Sequence, residues 1–146
     1  APYYGCQILR PYPVFDDPQV PRTMEPIFQA MGAATHEWDM GGRCCGASLM
    51  ATKPEVALVS VAELLKAAEG ADAIVTVCPM CQMNLDAYQA KARKLGGVAK
   101  PMSVLYLPQV MGMAMGMDPK EMLLHKNLLI TGKFLSRLKE RDAAPA

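Results

Sequence analysis

Residues 72–85 read DAIVTVCPMCQMNL, and this stretch decides the fold. Asp72 to Val77 is apolar and β-branched with no polar alternation, the composition of a strand buried on both faces. It passes directly into Cys78-Pro79-Met80-Cys81. Pro79 suits the first position of a helix, where its missing N–H would have no intrahelical partner. The spacing then predicts a helix from Pro79 to about Leu95, stopped by Gly96-Gly97. A doubly buried strand running straight into a helix is the repeating unit of a parallel sheet covered by helices.

The same alternation extends outward. Upstream, Pro54 opens a helix whose apolar face is Val56, Val59, Leu64 and Leu65, with Gly70 beyond its end. Downstream, Met102 to Leu107 (MSVLYL) is a strand candidate. Short helices are expected over 108–117 and 119–124, and a final helix from about Lys133 to Glu140. Near the start, Tyr3 to Leu9 (YYGCQIL) is β-rich, and Ala34 to Trp38 is a short strand candidate. Between them residues 11–21 hold four prolines and two aspartates and must be loop. Thr23 is placed to cap a helix carrying Met24, Ile27, Phe28 and Met31, with Gly32 as its stop. The expected fold is α/β: a Rossmann-like open parallel sheet of about four strands, joined by right-handed crossovers, with helices on both faces. One domain is expected over 1–146, with a core of about 3–135 and a frayed tail of about 141–146.

The composition fits such a domain. The 146 residues are 51% hydrophobic and 20% charged, with a net charge of +1, which excludes a disordered body and gives no field directed at nucleic acid or anionic lipid. The charge-free run 101–117 is interrupted by Pro101, Pro108, Gly112 and Gly116, so no transmembrane segment is expected. No basic-plus-apolar signal segment opens the sequence, and a cytoplasmic location is expected. The first residues already read as a core strand and carry no initiator Met, as in a piece of a longer protein. There is no Ser-His-Asp set, P-loop or G-x-G-x-x-G.

The chemistry lies in five cysteines, Cys6, Cys44, Cys45, Cys78 and Cys81, spaced C-x37-C-C-x32-C-x2-C. On the expected topology all five fall at or just after the C-terminal ends of strands. In an open parallel sheet these ends converge on one crevice. Structural disulfides require an oxidising compartment, and an odd count leaves one thiol over. A thiol redox pair at Cys78 and Cys81 would leave Cys44-Cys45 unexplained. Metal binding is the leading reading. Zinc sites draw on two C-x2-C-like knuckles, and only one is present. Adjacent cysteines on a single ion strain the backbone, and five thiolates exceed the four of a cubane cluster. Count and adjacency favour a multinuclear iron–sulfur centre, with Zn2+ or an ordinary [4Fe–4S] cluster as alternatives. The free N–H groups of the helix after Cys78 suit an anionic group. Gly5, Gly42 and Gly46 allow close backbone approach. Arg43 either offsets thiolate charge or is a solvated loop residue. Met111 and Met115 would share a helix face and serve packing, His36 and His125 read as structural or exposed, and Lys91, Arg93 and Lys94 as a solvated helix face.

Tyr4-Gly5-Cys6, Arg10-Pro11, Phe15-Asp16-Asp17-Pro18, Cys44-Cys45-Gly46 and Cys78-Pro79-Met80-Cys81-Gln82-Met83-Asn84-Leu85-Asp86 together resemble the cysteine-rich CCG domain of the heterodisulfide reductase B subunit. Weaker support comes from Val104-Leu105-Tyr106-Leu107-Pro108-Gln109 and Gly112-Met113-Ala114-Met115-Gly116, which are similar to the C-terminal half of that protein. The resemblance spans about Tyr3 to His125. It implies two CCG domains in tandem, of which this is the C-terminal half, each with one noncubane [4Fe–4S] cluster and a disulfide substrate cleaved between them. Carried over by motif, Cys6, Cys44, Cys45, Cys78 and Cys81 would be the ligands. Electrons would come from an iron–sulfur C subunit, itself fed by a flavin-carrying A subunit. The expected function is thus a heterodisulfide reductase-like thiol/disulfide oxidoreductase, with this domain alone inactive. The rival is a non-catalytic module in which a zinc or cubane site fixes the fold and docks a dehydrogenase.

Overall fold

The computed structural model describes residues 1–143. In chain order its elements are β1 (Pro2–Tyr3), α1 (Cys6–Leu9), α2 (Glu25–Ala30), α3 (Pro54–Ala67), β2 (Ala73–Thr76), α4 (Pro79–Gly96), β3 (Ser103–Tyr106), α5 (Leu107–Ala114) and α6 (Gly132–Ala143). Single 3-10 turns lie at Ala47–Leu49 and Leu124–Lys126. The three strands form one parallel sheet in the order β1-β2-β3. Tyr3 pairs with Thr76, and Thr76 with Tyr106, so the strands end level with one another.

The sheet buries both faces, which is why β2 reads as an unbroken apolar run. On one face Val61, Leu64 and Leu65 of α3 and Leu85 and Ala92 of α4 cover Ile74 and Val104. Each such aliphatic side chain contributes about 1.5–3 kcal/mol when fully buried. Helices α3 and α4 approach so closely that a Cβ on Gly96 would lie 2.5 Å from the Ala62 Cβ. On the other face Phe28 of α2 and Leu107 and Met113 of α5 cover Ala73, Val75 and Leu105, with Phe134 and Leu138 of α6 packed beside them. Buried polar side chains stitch the layers together. The Gln89 amide exchanges two hydrogen bonds of 3.1 Å with the backbone of Met102, at the entrance to β3. Asp86 accepts from the N–H groups of Leu128 (2.7 Å) and Leu129 (3.1 Å). Burial raises its pKa, while these bonds and Gln82 pull the other way.

The α/β class and the two helical layers agree with the expectation, and the strand count is three where about four were expected. Two segments account for the difference. Only Pro2 and Tyr3 of the β-rich N-terminal run are strand, because Gly5 takes φ +73° and turns the chain into α1. Ala34 to Trp38 is irregular. Instead of a ladder, this segment and its continuation reach β1 through the Trp38 indole N–H, which donates to the Pro2 carbonyl (2.8 Å), and through the Gly41 carbonyl, which accepts from Tyr4 and Gly5. Two helix boundaries also differ. Met24 rather than Thr23 precedes α2, since the Thr23 hydroxyl and N–H are committed to Asp16. Residues 119–123 form turns rather than a helix, interrupted by Leu123 at φ +56°. Met115 lies just past α5 and is exposed, so it shares no helix face with Met111. The last helix continues to Ala143 through part of the tail expected to fray; residues 144–146 lie outside the described residues.

The proline-rich loop is ordered by its two aspartates. Asp16 accepts hydrogen bonds from the backbone of Asp17, Arg22 and Thr23 and from the Thr23 hydroxyl, and Asp17 accepts from Gln19 and Val20. Slight burial raises the Asp16 pKa, but the hydrogen bonds outweigh it and hold the carboxyl below its ordinary 3.8. A depressed folded pKa stabilises the fold above the unfolded value, and the gain is lost as pH falls through the folded value. Asp16→Ala is expected to lower stability by about 1–2 kcal/mol at neutral pH, in line with loss of charged-acceptor hydrogen bonds. Urea titration at pH 7 and below pH 3 checks this: the deficit should shrink at acid pH, and an equal deficit at both would contradict the assignment.

Candidate functional site

Because the strands end level, the segments leaving them meet. Cys6 is the first residue of α1, directly after the turn that closes β1. Cys78 caps α4 behind β2, and Cys81 lies in the first turn of that helix. Cys44 and Cys45 arrive on the loop that is pinned to β1 through Trp38 and Gly41. Cys45, Cys78 and Cys81 are buried, Cys6 is half-buried and Cys44 is exposed. The Cys45 and Cys81 sulfurs share a hydrogen bond at 3.6 Å. Cys81 is also within hydrogen-bond reach of Cys78, and Cys6 of Cys44. The structure therefore brings together all five cysteines singled out from the sequence.

The sulfurs meet in pairs rather than about one point. Among the described residues, no three His, Cys, Asp or Glu side chains converge closely enough to hold a single metal ion. Their electrostatics are uneven. Cys45 is lowered to about 6, chiefly by the hydrogen bond with Cys81 against the opposing effect of burial, with the Ala47 N–H and the Asn84 amide lowering it further. With more donors aimed at it, Cys45 is the thiolate of the pair and Cys81 retains its proton, so the Cys81 pKa is raised. Burial, then Cys44, pushes Cys6 up to about 11. Tyr3 is raised by burial and by the charges of Cys45, Cys81, Cys44 and Cys6, so its ring borders most of the sulfur set.

Several supporting residues were not predicted. Tyr3 donates to the Arg43 carbonyl (2.7 Å) and packs edge-on against Trp38, with 6.1 Å between ring centroids. Asn84 donates to the Cys45 carbonyl (2.9 Å). Its signal was its position three residues after Cys81, on the same face of α4. The Cys78 N–H donates to the Thr76 hydroxyl (3.2 Å) and is turned back toward β2. Arg43 contributes its carbonyl, and its side chain is exposed. His36 bonds the Ala67 carbonyl and His125 is exposed. A cavity of about 500 Å³ opens at the opposite ends of the strands, beside Pro2, Asp72 and Ala73, and no cysteine lines it.

The CCG cysteine-rich domain family matches over residues 1–86, more than half of the 146, and the chain belongs to that family. It is 33% identical over 133 residues to the 8-methylmenaquinol:fumarate reductase membrane anchor subunit of Wolinella succinogenes, covering 88% of this chain and 47% of that protein. It is 34% identical over 125 residues to a protein of Archaeoglobus profundus named as like the heterodisulfide reductase B subunit, covering 80% and 42%. Identity is 27% over 156 residues to the B subunit of the ferredoxin/F(420)H(2)-dependent CoB-CoM heterodisulfide reductase of Methanosarcina acetivorans, covering 98% and 50%. The chain spans about half the length of these relatives. Among the described residues, no helix is long and apolar enough to cross a membrane.

Two glycines test how tightly the site is built. A Cβ on Gly5 would lie 2.9 Å from the Cys81 sulfur, and one on Gly46 would lie 2.8 Å from the Ala57 Cα. Gly32 has a similar positive φ but open space around it. Gly32→Ala is expected to cost about 1 kcal/mol of backbone strain. Gly46→Ala should cost at least about 2 kcal/mol, because backbone must move as well. Gly5→Ala should fall between them and displace Cys81. Equal melting temperatures for the three variants would contradict this ranking.

Proposed function

We propose that this chain is one CCG half of a two-domain, heterodisulfide reductase-like oxidoreductase subunit, in which Cys6, Cys44, Cys45, Cys78 and Cys81 hold one noncubane [4Fe–4S] cluster. The observation that carries this reading is the meeting of five sulfurs from three separate parts of the chain at one end of a parallel sheet. The donor set fits: thiolates are the ligands of iron–sulfur clusters, and five sulfurs in adjoining pairs suit a group larger than one ion. The close approach at Gly5 and the burial of Cys45, Cys78 and Cys81 supply a partly dry wall, which favours a soft, polarisable cofactor over water.

When bound, such a cluster supplies one-electron redox chemistry. The chain's own residues divide the remaining tasks. Cys45 offers a preformed thiolate, and the Ala47 N–H and Asn84 stabilise its charge. Cys81 must lose a proton to become a ligand, so loading should release protons and weaken at acid pH. Cys44, exposed, marks the side open to a reactant. Reduction of R–S–S–R by two electrons and two protons yields two thiols, and holding both sulfurs in place as they separate supplies much of the rate. One domain offers a site to one sulfur. The second CCG domain, by resemblance the N-terminal half, supplies the other. An iron–sulfur protein like the reductase's C subunit and a flavoprotein like its A subunit are the proposed electron donors, and the assembly is read as cytoplasmic.

A second reading has a specific observation behind it. The similarity to a fumarate reductase membrane anchor subunit favours a domain that docks a dehydrogenase and passes electrons without cleaving a disulfide. Serine variants test what both share. Cys6→Ser, Cys45→Ser and Cys78→Ser should each lower the iron content and melting temperature of the anaerobically purified chain. Two of them leaving both quantities unchanged would contradict the shared site. Thiol release from an added heterodisulfide separates the readings further: the isolated monomer should not turn over, and steady turnover by a demonstrated monomer would refute the two-domain mechanism.

A further inference from the structure

Adjacent cysteines in one site raise a question of order. Cys45 is 2% exposed and contacts Cys81, whereas Cys44 faces solvent. Nothing in the pair Cys-Cys itself decides which sulfur turns inward. Two buried donors outside this loop do. The Tyr3 hydroxyl of β1 donates to the Arg43 carbonyl (2.7 Å), on the peptide unit entering Cys44. The Asn84 amide of α4 donates to the Cys45 carbonyl (2.9 Å), on the peptide unit leaving Cys45. Tyr3 and Asn84 are both fully buried. The dipeptide is thus held at its two ends, by the sheet on one side and by the cysteine-bearing helix on the other. The Gly46 N–H donates to the Cys44 sulfur (3.3 Å) and fixes that side chain on the outer side.

We propose that Tyr3 and Asn84 are positioning residues that hold Cys44-Cys45 by both ends, so that Cys45 faces Cys81 in the interior and Cys44 forms the solvent edge of the site. This rests on the proposed cluster site for its purpose but not for its test. The bond to the Cys45 carbonyl is buried and that to the Arg43 carbonyl part-buried, so losing a donor leaves its acceptor without a protein partner and the dipeptide gains freedom to rotate. Losing either one therefore frees one end of the dipeptide and loosens the orientation that keeps the Cys45 sulfur inside.

The experiment is site-resolved alkylation. The full chain is purified anaerobically, any iron is chelated, and iodoacetamide labelling at about pH 9, above the ordinary thiol pKa so that loss of a donor changes ionisation little, is followed by peptide mass spectrometry. Circular dichroism verifies that each sample remains folded. In the unsubstituted chain Cys44 should label well ahead of Cys45. Tyr3→Phe removes one oxygen and keeps the ring against Trp38; Asn84→Leu removes the donor at similar volume. Each should raise the Cys45 rate about fivefold relative to Cys44, the effect of about one hydrogen bond. Asn127→Leu is the control, because it removes a part-buried bond of 2.7 Å to the Val104 carbonyl, away from the cysteines, and should leave the ratio unchanged. Should Asn84→Leu unfold, Tyr3→Phe alone decides. Equal labelling of the two cysteines in the unsubstituted chain, an unchanged ratio in Tyr3→Phe, or an equal change in Asn127→Leu would each overturn the proposal. An unsubstituted chain that never binds iron would overturn the proposed function, while the labelling ratio would still decide this inference.

Discussion

The parallel register that aligns Tyr3, Thr76 and Tyr106 is the constraint on which the rest depends. Three strands ending level launch three segments from one line: Gly5 into α1, Cys78 into α4 and Leu107 into α5. An antiparallel partner would send its following residues to the far end of the sheet. Parallel pairing needs long crossovers, and α3 and α4 provide them while covering the apolar face with Leu64, Leu65 and Leu85. The fold and the meeting of the cysteines are therefore one fact seen twice. Cysteines separated by more than thirty residues become neighbours because each follows, or is pinned to, a strand end.

Much of this was legible in residues 72–97. An unbroken apolar β-branched run, a proline at the first helical position and a double-glycine stop each encode a local preference, and the structure obeys all three. The five cysteines were legible as one site because the topology implied it. What was not legible depended on long-range bonding. Tyr3 to Leu9 has strand composition, but Gly5 in the left-handed region breaks it after two residues. Ala34 to Trp38 has the pattern of a strand and lies beside β1, yet a side-chain bond from Trp38 replaces the ladder. Thr23 has the chemistry of a cap, and Asp16 takes it. In each case a partner far along the chain outcompetes the local signal. The roles of Asn84 and Tyr3 were hidden for the same reason: their acceptors are carbonyls in a loop some forty residues away.

The site is asymmetric in a way that suits the proposed chemistry. Cys45, Cys78 and Cys81 belong to the packed interior and share a hydrophobic cluster with Tyr3, Leu64 and Leu85. Cys6 and Cys44 stand nearer solvent. Met80 and Met83, which flank Cys81 on α4, are exposed as well. A cluster held on this footing would be anchored from within and open on one side, and the second half proposed for the complete protein would close that side. Elsewhere the chain is satisfied by conventional means, with Asp16 ordering the proline-rich loop and Asp86 holding the segment at Leu128.

The five cysteines brought to one sheet end are proposed to hold a multinuclear iron–sulfur cluster. Elemental analysis of the anaerobically purified chain, joined to acid-labile sulfide determination and electron paramagnetic resonance, tests it most directly. The expected result is a brown protein with about four irons and matching sulfide per chain, and no stoichiometric zinc. A colourless chain holding one zinc with no labile sulfide would contradict it.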